Sequence, residues 1–156
     1  MISRPSPNNR RRGATAVETA LVLLPLIMFL CGIFEYGRLF MDWNLLENAA
    51  REGCRYALAN NQDTTISTDV TSIVTGYMAG RSTSFSGFSV SVSGTHTSSG
   101  VTTSYTGNGV NALAPGDVIS VTVSGNYQFM NIIPLVSVPN SFTVTSTVTM
   151  ICEGGV

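Results

Sequence analysis

One acidic residue at the start of a long apolar run constrains this chain more than any other feature. Three arginines at positions 10–12 precede Gly13, and after Glu18 no charge occurs between residues 19 and 34. Residues 14–34 would span about 31 Å as a helix at about 1.5 Å per residue, enough to cross a hydrocarbon core of about 30 Å. A carboxylate in hydrocarbon costs about 2.5–3.5 kcal/mol on insertion scales. The run predicts a membrane helix, and Glu18 predicts a specific contact with another subunit's membrane helix.

The composition is typical of an anchored protein with an acidic body. Apolar residues make up 44% of the chain and charged residues only 11%, which is few charges for a soluble domain. Four of the eight arginines precede Gly13, so a cut after it leaves four arginines against nine acids, a formal charge of −5. An acidic body argues against a nucleic-acid partner, since that requires a basic face. The N-terminal arginines predict a cytoplasmic N-terminus and an exported body after Phe34.

Two other interpretations of the N-terminus remain open. A removable secretory signal has a similar basic start and apolar stretch, but it needs a small-residue cleavage site after that stretch. Here residues 32–38 continue into another helical pattern. The second alternative is an uncleaved single-pass anchor that carries an exported binding domain. Within the span, Pro25 removes one backbone hydrogen bond, which membrane helices tolerate when neighbouring groups satisfy the freed carbonyl.

Beyond the membrane, the pattern predicts that the helix continues to about Ala59. Apolar residues recur there at spacings of three and four, which is the period of one helix face. Asp42 and Glu47 are assigned to the other faces. A second short stripe predicts a helix closed by Gly80, with a loop as the alternative. The two stripes are, first, Leu39, Trp43, Leu46, Ala50, Cys54 and Ala57, and second, Ile66, Val70, Ile73, Val74 and Tyr77.

After Gly80 the hydrophobic period changes to two, which predicts half-buried antiparallel strands with hydroxyl side chains outward. Ser146 interrupts one apolar face, turn signals occur at residues 114–117 and 138–140, and residues 94–109 read as a mobile loop or an edge hairpin. The predicted fold is α+β, a long N-terminal helix packed on a small antiparallel sheet. Its parts are a leader (1–13), a transmembrane helix (14–34), an exported amphipathic continuation (35–62), and a short helix with the sheet (63–156). The apolar strand residues are Phe88, Val90 and Val92, then Ile119, Val121 and Val123, then Phe142, Val144, Val148 and Met150.

The sequence offers no convincing enzyme chemistry. His96 is the only histidine and falls in a Ser/Thr/Gly-rich stretch, which predicts a solvent-exposed residue without a catalytic role. The cysteines and this histidine lack the spacing of a metal site, and serines without a positioned base are not nucleophiles. Residues 107–109 are too short for a phosphate-binding loop. We therefore predict no catalytic residue, no metal, no cofactor and no small-molecule substrate.

Two of the three cysteines are candidate disulfide partners. Cys31 falls in the membrane helix, whereas Cys54 and Cys152 would both be exported. An oxidising compartment would allow Cys54 and Cys152 to bridge, provided that their Cα atoms come within about 7 Å.

Gly13 followed by Glu18 five residues later resembles a type IV prepilin processing and assembly site. Residues 11–26 (RRGATAVETALVLLPL), 32–40 and 48–57 are similar to the TadE-like family, the minor pseudopilins of the tight-adherence, or Flp, pilus systems of bacteria. The resemblance is close over about the first sixty residues and general afterwards. It implies a pilin-like fold and a structural role in pilus assembly that supports surface adhesion. Major Flp pilins are much shorter, so the added domain favours a minor component.

The resemblance also implies roles for three residues. A prepilin peptidase would cut between Gly13 and Ala14 on the cytoplasmic side. Glu18 would then pair with the new amino group of Ala14 in a neighbouring pilin or pseudopilin subunit, because two charges in lipid are tolerable when each compensates the other. Where the family commonly has Phe after the glutamate, this chain has Thr19. The implied location is the inner membrane, with the N-terminus cytoplasmic and the domain exported or incorporated in a pilus.

Overall fold

The computed structural model describes residues 9–129 and 141–152, and it has the predicted α+β arrangement. A long helix and a short helix cover one face of a four-stranded antiparallel sheet. Two 3₁₀ turns, Arg81–Ser84 and Gly107–Ala112, connect the elements. The helices are α1 (Asn9–Ala59) and α2 (Ile66–Tyr77), and the strands are β1 (Phe85–Ser98), β2 (Val101–Thr106), β3 (Val118–Gln128) and β4 (Ser141–Ile151).

Helix α1 is continuous over 51 residues and passes Pro25 without a break. It ends at Ala59, as the apolar stripe predicted, but it begins inside the predicted leader. Its first half is exposed because no other described part of the chain packs against it. Within the described residues, α1 is the one helix that is long and apolar enough to cross a membrane. The length and apolarity of α1 therefore support membrane anchoring.

The core lies between the second half of α1, helix α2 and the inner face of the sheet. Helix α1 packs on β3 and β4, and α2 packs beside α1 and over β1. Gly53 sets the approach of the two helices, because a Cβ there would lie 2.6 Å from Val74 Cγ2. The predicted α2 helix is confirmed. Fully buried core residues include Leu46, Ala50, Cys54 and Ala57 of α1, Ile66, Val70 and Val74 of α2, and Ile119, Val121 and Val123 of β3.

The predicted stripe on α1 is right at Leu39, which packs against the core, and from Leu46 onward, but it is wrong at Trp43. Trp43 is 45% exposed, whereas Asp42, which the sequence assigned to another face, is 1% exposed. With 3.6 residues per turn, Asp42 lies one turn before Leu46 in the chain and on the same face of α1, the face toward the domain. Trp43 lies beside that face and is covered only in part.

The sheet has the strand order β2–β1–β3–β4, with every neighbouring pair antiparallel. Alternation places apolar side chains inward and hydroxyls outward, as predicted, and Ser146 is buried on the inner face. On the outer face, hydroxyl oxygens pair across strands at 2.9–3.0 Å. These pairs are Ser89–Ser124, Ser120–Thr149 and Thr122–Thr147. The described outer face of β1, β3 and β4 carries hydroxyl groups and no charge.

Residues 94–109 form an edge hairpin made of the end of β1 and strand β2, followed by a 3₁₀ turn. The hairpin turns at Ser99 and Gly100, whose φ angles are 51° and 81°. This confirms the hairpin interpretation and contradicts the loop. The turn predicted at residues 138–140 lies outside the described residues.

Candidate subunit-assembly site

Glu18 lies on the exposed first half of α1. Its side chain makes no hydrogen bond or ion pair with any other residue of the described chain. Ala14 lies one helical turn earlier, about 6 Å along the axis. The neighbouring Thr19 hydroxyl donates to the Thr15 carbonyl oxygen at 2.8 Å, so this hydroxyl is satisfied within the helix. In a single copy of the chain, therefore, no described residue pairs with the Glu18 carboxyl inside the span.

The predicted cleavage site lies inside α1. Gly13 and Ala14 are helical, and no atom lies within 4 Å of the position that a Cβ of Gly13 would take. A peptidase must open the helix to reach this bond. Glycine lowers helix stability by about 1 kcal/mol relative to alanine, so Gly13 is a favourable place for such opening. Both residues are exposed on α1, and cleavage there stays a prediction.

A polar cluster that sequence reasoning missed joins α1 to the sheet just beyond the apolar span. Arg38 donates through Nε to the Tyr127 hydroxyl and through Nη2 to Glu35 Oε1 at 3.0 Å and the Gln128 carbonyl at 2.9 Å. The Tyr127 hydroxyl in turn donates to Glu35 Oε1 at 3.1 Å. The Arg38 guanidinium also lies 5.1 Å from the Tyr127 ring centroid, a cation–π distance. Only one local feature of the sequence pointed to this cluster: Glu35 and Arg38 are three residues apart, which is one helical turn.

The electrostatics of this cluster keep the tyrosine in its neutral, donating form. Burial raises the pKa of Tyr127; the hydrogen bond from Arg38 opposes this, and Glu35 adds to the rise. The net direction is upward, so Tyr127 stays protonated at neutral pH and can donate to Glu35. The cluster fixes the domain to the first turn of α1 beyond the apolar run.

A second buried charge lies one turn further along α1. Asp42 Oδ1 lies 2.8 Å from Arg81 Nε, and the two side chains are 2% and 42% exposed. Neither Asp42 oxygen is in hydrogen-bond geometry with this or any other described group. The pair therefore acts through charge rather than an aligned hydrogen bond, and it ties α1 to the turn that follows α2.

Cys54 and Cys152, the candidate disulfide partners, are both buried free thiols in this structure. Cys54 Sγ is 3.8 Å from the Ile119 carbonyl oxygen, and Ile119 pairs with Met150, two residues before Cys152. Burial raises the pKa of the Cys54 thiol to about 11, and the charge of Cys152 contributes to the rise. The two thiols thus lie on the same side of the sheet, but the bridge itself stays a prediction.

His96 is not the exposed loop residue that the sequence suggested. It lies on β1, is half-buried, and its Nδ1 is 2.7 Å from both carboxyl oxygens of Asp117. Asp117 also accepts a hydrogen bond from the Ala114 backbone N–H at 2.7 Å. Burial acts to raise the pKa of Asp117, but the bonds from Ala114 and His96 outweigh it and the pKa is lowered. The contact closes the 114–117 turn onto β1, which is a structural role.

The comparison with known protein families found a match within α1. A family model described as "TadE-like protein" matches residues 13–55. This segment is similar to the TadE-like family. The TadE-like segment starts at the glycine of the predicted cleavage site and includes Glu18, Glu35, Arg38 and Asp42. No curated protein and no solved structure matches the chain.

The TadE-like match confirms the resemblance read from the sequence and supports a Tad pilus-associated protein. It covers most of α1 and none of the sheet. Together with the long apolar helix, it supports association with a membrane and with pilus subunits. The TadE-like segment also includes the α1 residues of both buried polar contacts, whereas their partners, Tyr127 and Arg81, lie outside it.

Proposed function

We propose that this chain is a minor pseudopilin of a Tad, or Flp, pilus system, a non-enzymatic subunit of pilus assembly that supports surface adhesion. The observation that carries the proposal is Glu18, which is exposed and pairs with no described residue, on a membrane-length helix five residues after Gly13. The TadE-like match over residues 13–55 supports it. The subunit would be anchored in the inner membrane, with its N-terminus cytoplasmic and its domain exported.

Processing would create the partner that Glu18 needs. A prepilin peptidase that cuts after Gly13 frees an ammonium group on Ala14 and removes four arginines. The Ala14 ammonium of one subunit and the Glu18 carboxylate of its neighbour would then compensate each other in lipid, where either charge alone is costly. Removing the arginines also removes the charges that hold the N-terminus in the cytoplasm.

N-terminal sequencing of the membrane-extracted protein tests the proposal. An N-terminus at Ala14 is expected. Retention of Met1 would instead support an uncleaved anchor with an exported binding domain, and a start beyond Phe34 would support a conventionally secreted protein. Either of these results overturns the proposal.

Substitutions separate processing from assembly. Gly13→Leu should leave the leader attached. Glu18→Ala should be cut at the same bond but should fail to enter the assembly, because the neighbour's ammonium loses its counter-charge. Glu52→Ala is the matched control, since it removes an exposed carboxylate of the same helix outside the membrane. Normal pili in the Gly13 and Glu18 variants would contradict the proposal.

A further inference from the structure

Strand β3 runs along α1 toward the apolar span. At one end of β3, the Ile119 carbonyl oxygen is 3.8 Å from Cys54 Sγ. At the other end, the Tyr127 hydroxyl is bound to Arg38. The sixteen positions from Arg38 to Cys54 cover about 24 Å of helix, and the eight positions from Ile119 to Tyr127 cover about 27 Å of strand. The two elements are therefore nearly antiparallel, and β3 ends on the side of the domain that faces the span.

The end of β3 lies at the level of the lipid headgroups when α1 crosses a membrane. The uncharged run of α1 ends at Phe34, and Arg38 lies about 6 Å beyond it along the helix. Arg38 binds both the Tyr127 hydroxyl and the Gln128 carbonyl. The headgroup layer is about 5–7 Å thick on each side of the hydrocarbon. The last residues of β3 are therefore held at the height of this layer.

Aromatic side chains lie at this end of the domain. Phe142 of β4 pairs with Tyr127 across the sheet and is 48% exposed. Phe129 follows β3, and its ring centroid lies 5.4 Å from that of Tyr127. Gln128 and Ser141 pair beside them, and both are exposed. We call Gln128, Phe129, Ser141 and Phe142 the basal surface.

The basal surface carries no charge. The sequence has no charged residue from Val118 to Cys152, a range that includes β3, β4 and the connection between them. Residues 130–140 of this connection lie outside the described residues, but the described residues at both of its ends belong to the basal surface. The two arginines nearest to this end, Arg38 and Arg81, are each paired with a carboxylate. An uncharged aromatic surface at this height suits the boundary between headgroups and acyl chains, where proteins that span membranes concentrate aromatic residues.

We propose that the basal surface rests on the lipid surface of the membrane that α1 spans, with the Phe142 ring between the headgroups and the upper acyl chains. The contact is apolar, so it does not select anionic lipid. It gives the domain a second attachment to the membrane besides α1. The inference requires that α1 crosses a membrane, but it depends neither on cleavage after Gly13 nor on pilus assembly.

Fluorescence quenching by lipid tests this contact. The full chain would be reconstituted into phosphatidylcholine vesicles whose acyl chains are brominated near the headgroup, because bromine quenches tryptophan only at close range. Trp43→Phe removes the one natural tryptophan, and Phe142→Trp then places the probe at the basal surface.

The matched control is Val101→Trp in the same Trp43→Phe background. Val101 is 67% exposed and begins β2 in the hairpin that follows β1. Because β1 is antiparallel to β3, this hairpin lies at the end of the sheet away from the span. We expect the brominated lipid to quench the probe at position 142 several-fold more strongly than the probe at position 101.

Equal quenching at the two positions, or none at position 142, overturns the proposal. Exchanging half of the phosphatidylcholine for anionic phosphatidylglycerol, or raising the salt concentration, should leave the quenching at position 142 unchanged. Quenching that requires the anionic lipid would show that the contact depends on charge, and it would also contradict the proposal.

A second pair of variants checks that the basal surface, rather than the fold, is responsible. Ser141→Asp adds a charge to this surface, and a charge is costly to place against lipid. Quenching at position 142 should fall several-fold, while the unfolding midpoint of the domain stays unchanged. Ser99→Asp is the control, since it adds the same charge at the exposed turn of the hairpin. Quenching that survives Ser141→Asp contradicts the proposal.

The membrane contact and the pseudopilin role fail separately. An Ala14 start in the producing cell, with no quenching at position 142, refutes the membrane contact and leaves the pseudopilin role standing. A Met1 start, with quenching at position 142, refutes processing and leaves the membrane contact standing.

Discussion

The Tyr127 hydroxyl donates a hydrogen bond to Glu35 Oε1 at 3.1 Å, across 92 positions of sequence. This bond joins the C-terminal end of β3 to the first turn of α1 beyond the apolar span. With Arg38 bound to both residues, it forms the contact between helix and domain nearest to the membrane.

Replacing this hydroxyl should weaken the domain. Tyr127→Phe keeps the ring but leaves Glu35 and Arg38 without one partner each. Their side chains are 16% and 32% exposed, so water offsets part of the loss and we expect a cost of about 1 kcal/mol, the low end for a polar group that loses its partner. The free energy of unfolding of the detergent-solubilised protein, measured with denaturant, should fall by that amount. Tyr77→Phe is the control; Tyr77 is 45% exposed, and we expect a change within about 0.5 kcal/mol. Equal effects of the two substitutions would show that the cluster does not stabilise the fold.

The two glycines in the second half of α1 should respond oppositely to alanine. Gly53→Ala places a methyl group 2.6 Å from Val74 Cγ2, and overpacking of this kind costs about 1–3 kcal/mol. Gly37→Ala meets nothing within 4 Å and should raise helix stability by up to about 1 kcal/mol. Thermal unfolding of the two variants checks the signs. A stabilising Gly53→Ala would mean that α2 does not pack as closely on α1 as described.

Acid should remove the contribution of Asp117. Its pKa is lowered in the folded protein, so its stabilisation is present above the unfolded value of about 3.9 and is lost as the pH falls through the folded value. We expect Asp117→Asn to be less stable than the parent at pH 7, and the gap to narrow below about pH 4. Urea midpoints at several pH values measure this gap. Glu52→Gln is the control, and a gap for Asp117→Asn that is constant with pH would contradict the assignment.

We predict that Cys54 and Cys152 form a disulfide after export. Export should let Cys54 and Cys152 pass two electrons and two protons to a disulfide of the exporting compartment, which lowers the mass of the chain by about 2 Da. Denatured, unreduced protein should then accept one alkyl group, on Cys31, and reduction should expose two more sites. Cys152→Ser should accept two without reduction. Three alkyl groups on the unreduced parent would show that the bridge does not form.

If the thiols stay reduced, their burial still has a measurable effect. With the pKa of Cys54 at about 11, about one thiol in a thousand is ionised at pH 8. Alkylation of Cys54 in the folded protein should therefore be slow and should accelerate on unfolding.

Local patterns in the sequence were sufficient for the elements and for most of the core. The period of 3.6 identified α1 and α2, and the period of two identified the strands, because each pattern directly reflects which side of an element is buried. Ser146 was also placed correctly on an inner face. These features depend on neighbours within a few positions, and a single sequence contains that information.

The errors arose where burial depends on distant partners. Asp42 looked like a solvent residue because its counter-charge, Arg81, lies 39 positions away on another element. His96 looked like a loop residue because serine, threonine and glycine surround it, yet β1 pairs with β2 at this position and Asp117 holds the imidazole. Trp43 was placed in the core because the stripe alone cannot show how wide a face of α1 the domain covers.

The residues of the candidate site show the same difference between local patterns, which a sequence reveals, and distant contacts, which it does not. Gly13, Ala14 and Glu18 were predicted from a motif with fixed spacing; the family match includes them, and their roles stay a prediction. The Glu35–Arg38–Tyr127 cluster was missed because no local signal connects α1 to the end of β3.

The unbroken course of α1 from membrane to core has a mechanical consequence. No flexible hinge separates the membrane-length part of α1 from the domain. The domain therefore tilts together with the helix. Membrane helices lean by about 20° on average. Any force that pushes or rotates the embedded end, as extrusion of a fibre would, reaches the hydroxyl-covered sheet as a change in its orientation.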